Sequence, residues 1–312
     1  MKVAVTGSSG LIGTALTASL RADGHQVVRL VRRPPRADGE PTASDQAISE
    51  VRWDPRAADA GNPPLSGVDA VVHLAGAGVG DHRWTASYKA EIRASRVQGT
   101  RGLTGFLAAM DQPPAVLLSG SAIGWYGDIG GREVDESAPA GAGFLAGVVR
   151  DWEAAADPAR QAGIRVATLR SGVVLSRHGG MLARLLPLFR LGLGARLGAG
   201  TQVMSWVALA DWVRAARFLL DQPDISGPVN VTAPDPETNA VFTAALARAL
   251  HRPALLSVPS PVLSAALGGV TSDLMSSARV RPRVLLGAGF GFTYPDLAAA
   301  LAAELRMAGS AG

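Results

Sequence analysis

Seven residues near the N-terminus, Gly7-Ser8-Ser9-Gly10-Leu11-Ile12-Gly13, follow the apolar run KVAVT and precede a stretch with helical apolar period. Glycines at this spacing let a chain turn tightly off a strand and approach a pyrophosphate, whose charge meets N–H groups at the start of the next helix. A glycine-rich turn alone is common, and the strand before and helix after it make it a dinucleotide-binding fingerprint. Gly7, Ser9, Gly10, Leu11, Ile12 and Gly13 are therefore the first cofactor contacts expected. A second apolar run ends at Val31, where an NAD site would carry an acid for the ribose hydroxyls. Here Arg32-Arg33-Pro34 follows instead. Two guanidiniums suit a 2′-phosphate through charge-assisted, often bidentate hydrogen bonds, and a carboxylate would repel it. NADP is the expected cofactor, the alternative being two solvated arginines at a loop start.

Other chemistries find little support. Cysteine is absent, which removes disulfides, thiolate ligands and a cysteine nucleophile. His73, in VVHLAG, has no second histidine or carboxylate at ligand spacing, so it reads as a packed strand histidine and no metal is expected. The isoelectric point of 10.1 suggests a nucleic-acid binder, but the net charge is only +4. With Lys2 and Lys89 the only lysines, little titrates between neutrality and arginine's own range. The arginines are scattered apart from clusters such as Arg32-Arg33 and Arg279, Arg281 and Arg283, and no basic run is interleaved with aromatics. The partner expected is a small molecule and not a nucleic acid. The opening MKVAVTG lacks an apolar leader core, and no run of about 18 apolar residues suggests a membrane span. The cytoplasm is the expected compartment.

These residues need a scaffold, and the first half of the chain supplies one by alternating apolar runs with amphipathic stretches, the pattern of βαβ units. Strands are expected at Lys2 to Thr6, Val27 to Val31, Val51 to Trp53, Ala70 to Leu74, Ala115 to Ser119 and Val166 to Leu169. Helices are expected at Leu11 to Ala22, Ser87 to Met110 and Phe144 to Gln161, with Pro158 kinking or ending the last. Residues 34–47 are polar and Pro-rich and read as a surface loop. Past Leu175 a Gly- and Arg-rich stretch precedes a helix at Leu209 to Asp221, and a final Ala/Leu helix starts near Pro295. The expectation is an α/β protein with a Rossmann-type, doubly wound parallel sheet and a smaller C-terminal cap lobe. Residues 1–174, joined by about 203–222, form the first unit, and 175–202 with 223–312 form the cap.

The segments GSSGLIG at 7, RWDP at 52, HLAGAGV at 73, SGSAIGWYGD at 119, DWEAAA at 151, LRSGVVLSRHGG at 169, FRLGLGARLGAG at 189, NVTAPDPETN at 230 and GFGFTYPDLAAAL at 289 together span most of the chain. They resemble the extended short-chain dehydrogenase/reductase superfamily, and more closely its poorly characterised branch of NAD(P)-dependent, sugar-nucleotide-epimerase-like proteins. The resemblance implies that Leu74, Ala75 and Gly76 run past the cofactor, that Val174 lies near its nicotinamide end, and that Glu91 and Arg96 contact NADP. A helix-surface acid and base are the alternative for the last two.

The superfamily's chemistry uses a tyrosine, a lysine four residues on that lowers the tyrosine's pKa, and a serine or threonine from the preceding strand. Neither lysine of this chain follows a tyrosine at that spacing, so the pair is missing. By the resemblance, Phe144 falls on the tyrosine position, which is characteristic of the branch, and Val148 on the lysine position. Ser121, or else Ser119, takes the serine place, and Ser119 is otherwise a cofactor contact. Tyr126 or Asp128 is a substitute proton donor, against packing and solvated-turn alternatives. The branch usually has a histidine where Ala208 stands, and Asp211 is retained. The resulting expectation is an NADP-dependent oxidoreductase or epimerase-like enzyme for a small polar substrate such as a nucleotide sugar, with Arg184, Arg190, Arg196 and Arg279 available to an anion. The competing expectation is a non-catalytic NADP-binding sensor or scaffold.

Overall fold

The computed structural model describes residues 1–34, 48–54, 64–269, 271 and 275–306. Seven parallel strands form the central sheet: β1 (Lys2–Thr6), β2 (Gln26–Val31), β3 (Ile48–Arg52), β4 (Ala70–His73), β5 (Val116–Ala122), β6 (Arg165–Ser171) and β7 (Gly227–Val231). From edge to edge they run β7, β6, β5, β4, β1, β2, β3. The chain fills one half of the sheet outward from β1, then crosses over and fills the other outward from β4. The two halves diverge at the carboxyl ends of β1 and β4, the switch point where open α/β sheets take ligands.

The strands form where apolar runs are continuous, because both faces are covered. Val3, Ala4 and Val5 of β1 and Ala70, Val71 and Val72 of β4 are wholly buried. On one face lie α1 (Leu11–Ala22) and α6 (Leu209–Leu220), with Leu16 and Leu20 clustered with Trp212, Ala216 and Leu219. On the other, Leu103 and Leu107 of α2 (Ala86–Ala108) cluster with Trp53, Leu117 and Val166. The expected helix at Phe144 to Gln161 is two helices, α3 (Phe144–Ala154) and α4 (Asp157–Gln161), with Pro158 in the first turn of the second. Proline is tolerated there because first-turn N–H groups have no intrahelical acceptor.

β3 begins earlier than expected and ends at Arg52, and β7 is absent from the sequence reading altogether. Its GPVNV opens with a turn-like Gly-Pro, which an edge strand accommodates because one side of its backbone needs no donor. The residues grouped with the cap from position 223 thus include an edge strand of the main sheet. Beyond Pro34, the loop expected at 34–47 lies outside the described residues.

A third hydrophobic cluster belongs to the smaller lobe. It joins Leu182, Leu186 and Phe189 of α5 (Gly180–Arg190), Phe242 and Leu246 of α7 (Asn239–Ala249) and Leu297 and Leu301 of the C-terminal helix Leu297–Arg306. Helix α8 (Ser260–Leu267) also lies in this part of the chain. Asp211, wholly buried on α6, fastens the C-terminal segment by accepting from the N–H groups of Thr293 and Tyr294 at 2.8 and 2.7 Å.

Candidate active site at the carboxyl ends of the strands

The glycine loop divides its labour in a way spacing alone does not reveal. Gly7 has φ +64, and a Cβ there would come within 2.7 Å of the Leu74 carbonyl carbon. At Gly13 a Cβ would lie 2.2 Å from the Gly7 oxygen, so close packing of loop on helix requires glycine. Gly10 is different: its φ of −76 and ψ of 172 suit any residue, and a Cβ would meet only the Gly7 oxygen, at 3.3 Å. The fold therefore does not demand glycine at 10, where a missing side chain leaves room for a ligand. No side chain caps α1, whose first-turn N–H groups belong to Leu11, Ile12 and Gly13, and its first turn carries no acid. An uncapped helix start beside a bare loop fits a pyrophosphate.

Thr6, at the end of β1, fixes the neighbouring strand exit. Its Oγ1 accepts from the N–H groups of Leu74 and Ala75 at 3.1 and 3.2 Å and lies 2.7 Å from His73 Nδ1. With both lone pairs used, the hydroxyl proton goes to Nδ1, so the ring carries its own proton on Nε2, which donates to Thr100 Oγ1 at 3.0 Å. Trp152 Nε1 donates to the same Thr100 oxygen. Burial lowers the His73 pKa from 6.5 to about 4, so the ring is neutral. Next along, Gly76 is exposed, and Arg96 donates to the Ala77 oxygen at 2.9 Å while lying 5.1 Å from the Trp152 ring. Burial holds this guanidinium below the ordinary arginine range. Arg96 is thus a prop for the loop after β4.

At the other end of the loop, Arg32 and Arg33 are both exposed after β2. Arg33 pairs with Glu50 at 2.7 Å, and Arg29 shares the same oxygen at 3.4 Å while its Nε donates to Ser8 Oγ. Two guanidiniums thus share one carboxylate, and with the exposed Arg32 beside them positive charge is in excess at the end of β2. Ser8 and Arg29 were not anticipated; an arginine inside the apolar run QVVRLV was the available signal. Glu91 lines an open cleft with His82, Arg83, Thr85, Ser87 and Tyr88. Val174 is half-buried in the short strand Val173–Leu175, which pairs with Trp206–Ala208.

Of the expected chemical groups, Ser121 and Tyr126 fall into one buried network, and Ser119 and Asp128 lie outside it. Ser121 donates to Glu153 Oε1 at 2.6 Å, and Arg170 grips both oxygens of that carboxylate at 2.8 and 3.0 Å. Arg170 also donates to the Tyr126 hydroxyl and stacks 3.9 Å from the Trp125 ring centroid. Tyr126, 1% exposed, donates in turn to Asn230 Oδ1 at 2.7 Å. Burial pushes its phenol up from the ordinary range, against the lowering influence of Arg170. Ser119 is wholly buried within β5, donating to the Gly120 oxygen at 3.4 Å. Asp128 caps the neighbouring loop through the N–H groups of Gly130 and Ser277.

Phe144 opens α3 after Gly143, with Val148 buried one turn on. Its ring meets Trp84 edge-on, centroids 5.2 Å apart, and Lys89 of α2 lies over both rings. The cap arginines do not converge: Arg184 pairs with Asp81 at 2.9 Å, Arg279 donates to the Pro236 oxygen, and Arg190 and Arg196 are exposed. Among the described residues no group of histidines and carboxylates is arranged for a metal, and no helix is long and apolar enough to cross a membrane.

The sequence model of the NAD dependent epimerase/dehydratase family matches residues 3–232, and that of a domain of unknown function (DUF1731) matches 258–304. An epimerase family protein of Mycobacterium tuberculosis is 47% identical over 300 residues, covering 96% of this chain and 96% of the relative. The epimerase family protein SDR39U1 of Bos taurus is 36% identical over 310 residues, covering 96% and 98%. Among solved structures, the human SDR39U1 protein with NADPH superposes with a TM-score of 0.86 at 32% identity, over 98% of this chain and 99% of that one. A nucleoside-diphosphate sugar epimerase from Corynebacterium glutamicum, 37% identical, gives 0.75 over 98% of this chain and 58% of that one. The glycine loop, the switch point and the fold that carries them are those of a family to which the chain as a whole answers: it belongs to the NAD dependent epimerase/dehydratase family.

Proposed function

We propose that the protein is an NADP(H)-dependent, epimerase-like oxidoreductase that acts on a small polar substrate held between the sheet and the cap, without a tyrosine–lysine pair. The observation that carries this reading is the uncapped start of α1 beside Gly7 and Gly13, flanked by the arginines that follow β2. NADP(H), when bound, supplies or takes up a hydride. Gly10 leaves space for the pyrophosphate, the first-turn N–H groups of α1 face it, and Arg32 with Arg33 selects the 2′-phosphate. Leu74, Ala75 and Gly76 form the adjoining wall, stiffened by Thr6 and Arg96. Because the Ser121 proton is committed to Glu153, Ser121 offers lone pairs and receives a substrate hydroxyl. Tyr126, held between Arg170 and Asn230, positions this network.

Titration calorimetry with NADPH and NADH tests the reading. NADPH is expected to bind more tightly, and Arg32→Ala to reduce that preference, each by about ten- to a hundredfold, the worth of one charge-assisted contact of about 1.5 to 3 kcal/mol. Equal affinities in the parent overturn it. Phe144, which has no proton to exchange, and the engaged Tyr126 hydroxyl favour a second reading, a non-catalytic NADP-binding sensor. NADPH absorbance followed with nucleotide sugars, ketones and aldehydes separates the two, since a sensor gives no turnover.

A further inference from the structure

Lys2 and Lys89 are the only lysines in a chain of 30 lysines and arginines, and they are used differently. Lys2 Nζ donates to the Ser66 oxygen at 2.8 Å. Lys89 Nζ lies 5.2 Å from the ring centroid of Phe144 and 5.7 Å from that of Trp84, and among the described residues no carboxylate pairs with it. The rings beneath it are fixed. Trp84 Nε1 donates to the Val79 oxygen at 2.8 Å, and Phe144 begins a helix directly after Gly143, whose φ is +107. The cap closes on this corner, because a Cβ on Gly269 would lie 3.6 Å from Lys89 Nζ and 3.7 Å from Trp84 Cβ.

Neighbouring cations are already engaged. Arg83 donates to the Ala265 oxygen, Arg184 is paired with Asp81, and Arg96 is bound to the Ala77 and Ile92 oxygens. Lys89, Ile92 and Arg96 share one face of α2 at i, i+3 and i+7, which sets Lys89 about 10 Å along the helix from the residue that props the loop at Gly76. Aromatic faces attract an ammonium through their quadrupole but contribute no hydrogen-bond acceptor of carboxylate strength, so among the described residues nothing takes its three donors, which suit an anionic ligand.

We propose that Lys89 anchors an anionic group of the substrate, a carboxylate or phosphoryl oxygen, beside the position where the superfamily carries its tyrosine. This rests on the functional reading above, since it needs a substrate between sheet and cap. The test is amine-selective acetylation of the full-length protein saturated with NADPH, read by mass spectrometry, with UDP and malonate as the probes. At least one probe is expected to slow Lys89 acetylation about tenfold while leaving Lys2 unchanged, and which one does so tells phosphoryl from carboxylate recognition. By calorimetry on the NADPH complex, Lys89→Met is expected to weaken that probe about ten- to a hundredfold and Lys89→Arg to restore most of it, with NADPH affinity unchanged. Failure to bind NADPH would bring down the functional reading and this inference with it. Normal NADPH binding with Lys89 acetylated equally fast in both probes, or with the Lys89→Met variant binding them unimpaired, overturns this inference alone.

Discussion

His73 sits in a chain of hydrogen bonds with no place for a second ring proton, because Nδ1 already receives the proton of Thr6. Its pKa falls from 6.5 to about 4 in the folded state through burial. Below pH 6.5 the unfolded chain takes up a proton that the folded chain refuses. The stability it contributes is therefore fully present above pH 6.5 and is lost as pH falls towards 4. At about 1.4 kcal/mol per pH unit the loss amounts to at most about 3 kcal/mol. Urea denaturation between pH 7.5 and 4.5 should show this slope, and His73→Gln should remove it even though the variant starts less stable. The glycine loop gives a second contrast at this scale. Gly10→Val is expected to cost about 1 to 2 kcal/mol of stability, because the backbone suits any residue while valine is a poor N-cap and its Cβ meets the Gly7 oxygen at 3.3 Å, yet to weaken NADPH at least about tenfold by filling the ligand's space. Gly13→Ala, which drives a Cβ against the Gly7 oxygen, is expected to disrupt the loop itself. Thermal melts with and without NADPH distinguish the two outcomes.

Besides their ladders and apolar packing, strands β5, β6 and β7 are tied to one another and to helix α3 by the network through Ser121, Glu153, Arg170, Tyr126 and Asn230. Arg170→Met leaves a buried carboxylate without its counter-ion, which typically costs about 3 to 5 kcal/mol. Combining it with Glu153→Gln should cost less than the two changes added, as read from denaturation midpoints. The network marks the limit of what was legible beforehand. Near-continuous apolar runs locate β1, β2 and β4, most of whose residues are buried. Motif and context together place the glycine loop and the arginines after β2. Asn230, by contrast, sits polar in the middle of β7, justified only by Tyr126 and by the Arg281 oxygen, to which its amide donates from 51 positions away. Nor does any spacing reveal that Lys89 of α2 reaches Phe144 of α3, since that meeting depends on how two helices pack on one sheet.

Taken as a whole, the chain does not build one lobe and then the other. It leaves the sheet after β6 to form α5, returns for α6 and β7, departs again for α7 and α8, and comes back at Arg279–Val280 to pair beside Glu133–Val134. Asp211 then binds the last segment to α6, and the final helix packs in the cluster of α5 and α7. The order of synthesis gives this weaving a cost. Strand β6 is translated about 55 residues ahead of β7, so at roughly 5–20 residues per second it waits about 3 to 11 s for the partner that covers its free side. During that interval the nascent chain presents an open edge, a template for pairing with other chains. A fragment ending at residue 226 freezes this intermediate, and it is expected to sediment with aggregates on expression at a concentration where the full chain stays in the supernatant. The edge strand that completes the sheet thus also covers β6, and it puts a Gly-Pro start, a poor template for pairing, where the open backbone of β6 would otherwise stand.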